Sequence, residues 1–205
     1  MAVSPQDVKR LRDETGAGMM DCKNALEDAG GDVAKAKDLL RERGIAKAQK
    51  LSERSAEEGM IFAYLHQPDP DLPPKVGAMI ELNCATDFVA KTEGFQKLAR
   101  DIATHISWAR PTVVSRDELA EDLVQKERDL IASQAKAEGK PDDVIDKIVE
   151  GRMKIFYQEH CLLDQLVGAE QDKSVAQLLD EVSAGLKEPI KVRRFARFRV
   201  GAGSA

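Results

Sequence analysis

Apolar residues recur at helical spacing through the first 45 positions, in three short runs separated by glycines. Ser4 followed by Pro5 has the form of an N-cap with proline at the first helical position, and Val8 and Leu11 share a face behind it. Thr15-Gly16-Ala17-Gly18 breaks that helix. The next run puts Cys22, Ala25, Leu26 and Ala29 at i, i+3, i+4 and i+7 and stops at Gly30-Gly31. Asp32 can cap a third helix, which turns Val33, Ala36 and Leu40 inward and ends at Gly44. Residues 46–58 hold few apolar anchors and predict a solvated, partly helical connector.

After Gly59 the pattern becomes extended. Met60 to Leu65 and Val76 to Leu82 read as two strands joined by a proline-rich loop, a hairpin with a long connection. Phe95, Leu98, Ala99, Ile102, Ala103 and Ile106 then form one stripe at 3.6-residue spacing, a helix that must pack on the hairpin. Ser115 and Glu118 have the spacing of a capping box opening a charged helix that continues to about Glu138. Pro141 starts another, carrying Ile145, Ile148, Val149 and Phe156, and Val175, Leu178, Leu179 and Val182 mark one more. Ile190 to Val200 closes the chain as a strand bracketed by proline and glycine. This order predicts an α+β protein: a three-helix unit at 1–45, the connector at 46–58, and a core at 59–205 with a small antiparallel sheet of about three strands packed against helices. So small a sheet leaves two edges where a second copy or another chain can dock.

Composition narrows the function. A 42% apolar and 33% charged chain of 205 residues has enough apolar matter for a real core. The net charge of −5 opposes a broad nucleic-acid surface, so no direct nucleic-acid partner is expected. No apolar run approaches the roughly 20 residues that span a bilayer, and the start lacks a secretory signal, so a cytoplasmic location is expected. Cys22, Cys84 and Cys161 stand far apart without metal-ligand spacing and read as buried free thiols, and no metal or cofactor is expected.

Motifs for chemistry are absent. There is no phosphate-cradling glycine loop, and Gly16-Ala17-Gly18 is an interhelical turn. Glu159-His160-Cys161 places a base beside a thiol only in sequence, because neighbours on a helix point about 100° apart. No catalytic residue is therefore assigned. Arg193 to Arg199, interleaved with Phe195 and Phe198, supports an alternative reading as an RNA-binding strand, but edge arginines reaching acidic partner groups explain it more simply.

The most informative stretch is Asn83-Cys84-Ala85-Thr86-Asp87-Phe88-Val89-Ala90-Lys91, directly after the second strand. Thr86 or Asp87 can cap a helix whose first turn holds Phe88, and that ring is either core or offered to a partner. Together with Met19-Met20 in Thr15 to Lys23, Gly151-Arg152, Cys161-Leu162-Leu163 and Arg193-Arg194-Phe195, this stretch resembles the elongation factor Ts family over nearly the whole chain. The resemblance implies a ubiquitin-associated-like helical domain up to about residue 45 and an α+β core that grips elongation factor Tu. It implies that Thr86, Asp87, Phe88 and Val89 reach the nucleotide domain of that GTPase, where the aromatic wedges beside the magnesium site and weakens the hold on GDP. Met19 and Met20 match positions that touch the same domain. The chain resembles the short form of the family, in which two copies supply what one long chain does, so a homodimer is expected.

Overall fold

A computed structural model describes residues 3–15, 17–52, 55–167 and 173–202, with the backbone alone over 44–52. The chain forms two compact units, one of Met1–Ile61, Glu81–Ala99 and Gln177–Lys191, the other of Phe62–Ile80, Arg100–Ala176 and Val192–Ala205.

The first unit begins with helices α1 (Pro5–Thr15), α2 (Met19–Asp28) and α3 (Val33–Ser52). Ser4 caps α1, its Oγ accepting the Asp7 N–H at 3.1 Å. At the end of α2, Gly30 and Gly31 have φ of 65° and 90°, and the Gly31 N–H donates to the Leu26 carbonyl at 2.8 Å, a reversal open to glycine without steric cost. Asp32 Oδ1 then accepts the Ala34 and Lys35 N–H groups at 2.9 and 3.2 Å and starts α3. Leu11, Cys22, Ala25, Leu26 and Ala36 are buried together, with Val8, Val33 and Leu40 packed around them. Contrary to the sequence expectation, α3 does not stop at Gly44 but continues as helix to Ser52. One interior glycine costs only about 1 kcal/mol relative to alanine, and the alanines, lysines and leucine that follow are strong helix formers.

Strands β1 (Glu58–His66), β2 (Val76–Cys84) and β5 (Lys191–Arg199) form an antiparallel sheet in the order β1-β2-β5. The central strand alternates as the period of two requires, burying Ala78, Ile80, Leu82 and Cys84. Near the start of β1, Gly59 has φ 150°, and a Cβ there would stand 2.1 Å from the Leu82 carbonyl oxygen, so the two strands approach over a missing side chain. The predicted stripe of α5 (Glu93–Ala109) is buried throughout, from Phe95 to Ile106. In the second unit the later turns of α5 lie against β1, with the Arg100 guanidinium 5.9 Å from the centre of the Phe62 ring.

Helices α6 (Glu121–Ala137) and α7 (Asp142–His160) pack on each other through Ile131, Ala135, Ile145, Val149, Met153 and Phe156. The capping box is corrected. Ser115 makes no side-chain cap, residues Arg116–Glu118 form a single 3₁₀ turn, and Leu119 is extended, so α6 starts at Glu121. The Glu118 carboxylate reaches past Ser115 to accept the Val114 N–H at 3.0 Å. The segment after α7 forms a small hairpin, β3 (Leu166–Val167) with β4 (Lys173–Ser174), too short to leave a periodic signal in sequence. Helix α8 (Val175–Leu186) follows, burying Val175, Leu179 and Ser183.

His105 is buried, and its Nε2 lies 2.9 Å from Gln165 Oε1. Burial pushes its pKa below the ordinary 6.5, against a smaller opposing effect of Gln165. The folded chain therefore binds fewer protons than the unfolded chain as pH drops below about 6.5, and stability present above that pH is lost as pH falls.

Two outcomes test this description. Gly59→Ala should lower unfolding stability by at least about 2 kcal/mol in urea, because β1 must shift to clear Leu82, whereas Gly151→Ala, whose Cβ meets nothing within 4 Å inside α7, should raise it by about 0.5 to 1 kcal/mol. The melting temperature should fall more between pH 7.5 and 5.5 in the parent than in His105→Gln; equal slopes would show that His105 does not carry the effect.

Candidate partner-binding site

Where β2 leaves the sheet, the chain makes a one-turn helix, α4 (Asp87–Ala90), before α5. Thr86 is its N-cap, extended at φ −134° and ψ 150°, with Oγ1 accepting the Val89 N–H at 3.4 Å. Thr92 continues the chain into α5: its Oγ1 donates to the Val89 carbonyl at 2.8 Å and accepts the Phe95 N–H at 3.4 Å. Four residues of helix cannot hold themselves together in water. The turn is held from outside by Glu188, whose two carboxylate oxygens take both donors of Thr86, the backbone N–H at 3.0 Å and the hydroxyl at 2.6 Å.

On this turn Phe88 is 77% exposed, the highest value among the large hydrophobic residues described. Of the two readings left open by the sequence, the ring is not part of this chain's core. The Lys91 Nζ stands over the ring, 5.8 Å from its centre. The same ammonium donates to Asp87 at 2.5 Å, and that bond holds the Asp87 carboxyl below its usual range. Val89 is half-buried. Thr86, Asp87, Phe88 and Val89 thus belong to one turn with its aromatic outermost. Met19 and Met20 belong to another element, the first turn of α2, and are 56% and 63% exposed. Sequence reasoning missed Glu188. It lies 102 residues from Thr86, just after Lys187, which the structure places in the left-handed region at φ 60°, and no local signal in the sequence points to it.

The three cysteines are buried thiols. Cys161 is fully buried, and burial together with Asp164 pushes its thiol up to about 11, far from a reactive thiolate. Cys22 and Cys84 are also buried with raised pKa values, burial being the main cause in each. Among the described residues no group of His, Cys, Asp and Glu is arranged to hold a metal ion, and no helix is long and apolar enough to cross a membrane.

This is an α+β chain with an exposed phenylalanine on a helical turn pinned by Glu188. The model of the family described as Elongation factor TS matches residues 23–202, which include the α4 turn but not Met19 and Met20. The elongation factor Ts of Caldanaerobacter subterraneus subsp. tengcongensis is 47% identical to this chain, across 98% of each. That of Thermodesulfovibrio yellowstonii is 48% identical, again across 98% of each. That of Fervidobacterium nodosum is 44% identical across 98% of this chain and 100% of the relative. The chain belongs to the elongation factor Ts family, a family of translation elongation.

Two phenylalanines seven residues apart provide the check on this geometry. Phe88→Ala should leave unfolding stability within about 0.5 kcal/mol, as for an exposed side chain, whereas Phe95→Ala, at a fully buried position, should cost about 3 to 5 kcal/mol. Chemical denaturation of both variants measures the pair, and an equal loss would contradict the exposure of Phe88.

Proposed function

We propose that this chain is the guanine-nucleotide exchange factor of elongation factor Tu: it binds the GDP-bound GTPase, disturbs the magnesium and nucleotide site, and promotes GDP release. The observation that carries the proposal is the exposed Phe88 ring on a turn fixed by Thr86 and Glu188. Family membership supports it. In this reading Thr86, Asp87, Phe88 and Val89 form the surface that dislodges magnesium, and Met19 and Met20, in the three-helix domain of residues 1–45, contact the same GTPase domain. Thioethers are flexible and polarizable and suit such an adaptable contact. Residues 46–58 connect to a core and dimerisation domain of residues 59–205, and the protein works in the cytoplasm without a cofactor of its own.

The mechanism follows from linkage. A partner that binds nucleotide-free GTPase better than its GDP complex must weaken GDP by the same factor, since coupling is reciprocal. Phe88 is suited to this because its ring is already mostly in water on a turn already fixed: burying it in the partner gains about 2 to 3 kcal/mol without taking it out of this chain's core. No proton transfer or covalent step is required.

We further propose that the working form is a homodimer. On the second unit, Ala63, Leu65, Met79, Phe198 and Val200 line an open apolar face of about 210 Å³, with Leu65, Phe198 and Val200 exposed by 64%, 73% and 72%. A contiguous patch of this kind at a sheet with two free edges suits a second copy.

The test of exchange is release of fluorescent GDP from elongation factor Tu. Phe88→Ala should slow stimulated release by about 30- to 150-fold while melting like the parent. Asp87→Ala should be milder, within about tenfold, because an exposed charge contributes about 1 kcal/mol or less. Parent-rate exchange by a folded Phe88→Ala would overturn the wedge assignment. Light scattering at micromolar concentration should give twice 22.5 kDa, and a strictly monomeric mass would remove the dimer.

A further inference from the structure

A cavity of about 300 Å³ opens in the second unit, where the end of β1, the start of β2 and the end of β5 meet the last turn of α5. Its charged wall is Arg110, Arg197 and Arg199, and no carboxylate is among its lining residues. Its aromatic wall is Tyr64, His66 and Trp108. Several of these groups are held by contacts within the unit. Arg197 Nε donates to the Ser107 carbonyl at 2.9 Å, and Tyr64 Oη lies 3.1 Å from His66 Nδ1. Trp108 meets His105 edge-on at 4.8 Å between ring centres yet keeps 59% of its surface exposed. Arg110 follows α5 with its backbone in the left-handed region at φ 57°, where the chain turns off the helix.

Three like charges gathered with no carboxylate among the described lining residues repel one another. Burial first, then Arg110 and Arg199, hold the pKa of Arg197 below its ordinary value. An anionic ligand would relieve that repulsion, and planar guanidinium forks match carboxylates and phosphates. The chain as a whole carries −5, which works against the long-range attraction of a phosphate backbone, whereas a short carboxylate cluster needs only the contacts within the cavity.

We propose that this cavity is a docking site for an acidic protein segment, in which two or three carboxylates meet Arg110, Arg197 and Arg199 beside the Trp108 ring. This site is independent of the Phe88 turn and of the exchange reading. Its charge complementarity sets orientation and speeds encounter, and its binding weakens as salt rises.

Trp108 is the only tryptophan of the chain, so its fluorescence reports occupancy of this cavity directly. The full-length chain is titrated in low salt with a blocked hexapeptide of glutamate and aspartate, with its glutamine and asparagine counterpart, and with hexauridylate. The acidic peptide should give a saturable change that the neutral peptide does not, weakening as salt is added. Arg110→Asn combined with Arg199→Gln should weaken it at least about tenfold with unchanged far-UV circular dichroism, asparagine being tolerant of the left-handed backbone at position 110. The proposal is overturned by the absence of a saturable change, by equal binding to the folded double variant, or by hexauridylate binding more tightly than the acidic peptide.

Discussion

The carboxylate of Glu188 on the two donors of Thr86 is the interaction on which the α4 turn depends. A turn of four residues has almost no helical stability of its own, since nucleation fixes several residues for one hydrogen bond. Capping by Thr86 satisfies one orphan amide, but the geometry of the cap is itself set by Glu188. Hydrogen bonds to a charged group are the stronger kind, and this pair joins positions 102 residues apart, so it forms only when the fold is complete. Phe88 therefore stands in water on a rigid base. Rigidity matters because a ring that must be ordered on binding loses part of its contact energy to entropy.

The three N-terminal helices of the first unit have a different character. The cluster around Leu11, Cys22, Ala25, Leu26 and Ala36 is made of small and medium side chains, enough to hold three helices and little more. Its helix ends are fixed by local devices: Ser4, Gly30 with Gly31, and Asp32. Met19 and Met20 stay exposed because the buried face of α2 is already complete with Cys22, Ala25 and Leu26. In the second unit, α6 and α7 bury a larger apolar seam, and the strand ends carry an apolar face together with a cluster of arginines. Apolar area and local charge both stand exposed there.

Much of this architecture was legible before the fold was known. Alternation along Val76–Cys84 and the 3.6-residue stripe from Phe95 to Ile106 are direct imprints of which side chains leave water. Caps and breaks were legible for the same reason, since Ser4, Pro5, Gly31 and Asp32 act on backbone groups within a few residues of themselves. Where sequence reading failed, a local signal was outweighed by its surroundings. Gly44 was overruled by the helix formers after it, and Ser115 with Glu118 lost the capping box to the Val114 amide.

The amino-acid order by itself determined the α+β class, the three initial helices, the sheet strands and the place of the Thr86–Val89 segment, because each rests on periodicity or on a neighbour a few bonds away. Only the tertiary structure decided that Phe88 faces water, that Glu188 holds the turn beneath it, and that Arg110, Arg197 and Arg199 share a cavity with Trp108. Those facts depend on contacts between residues far apart in the chain. No local pattern records such a contact, since its energy is realised only when the whole fold brings the partners within a few ångströms.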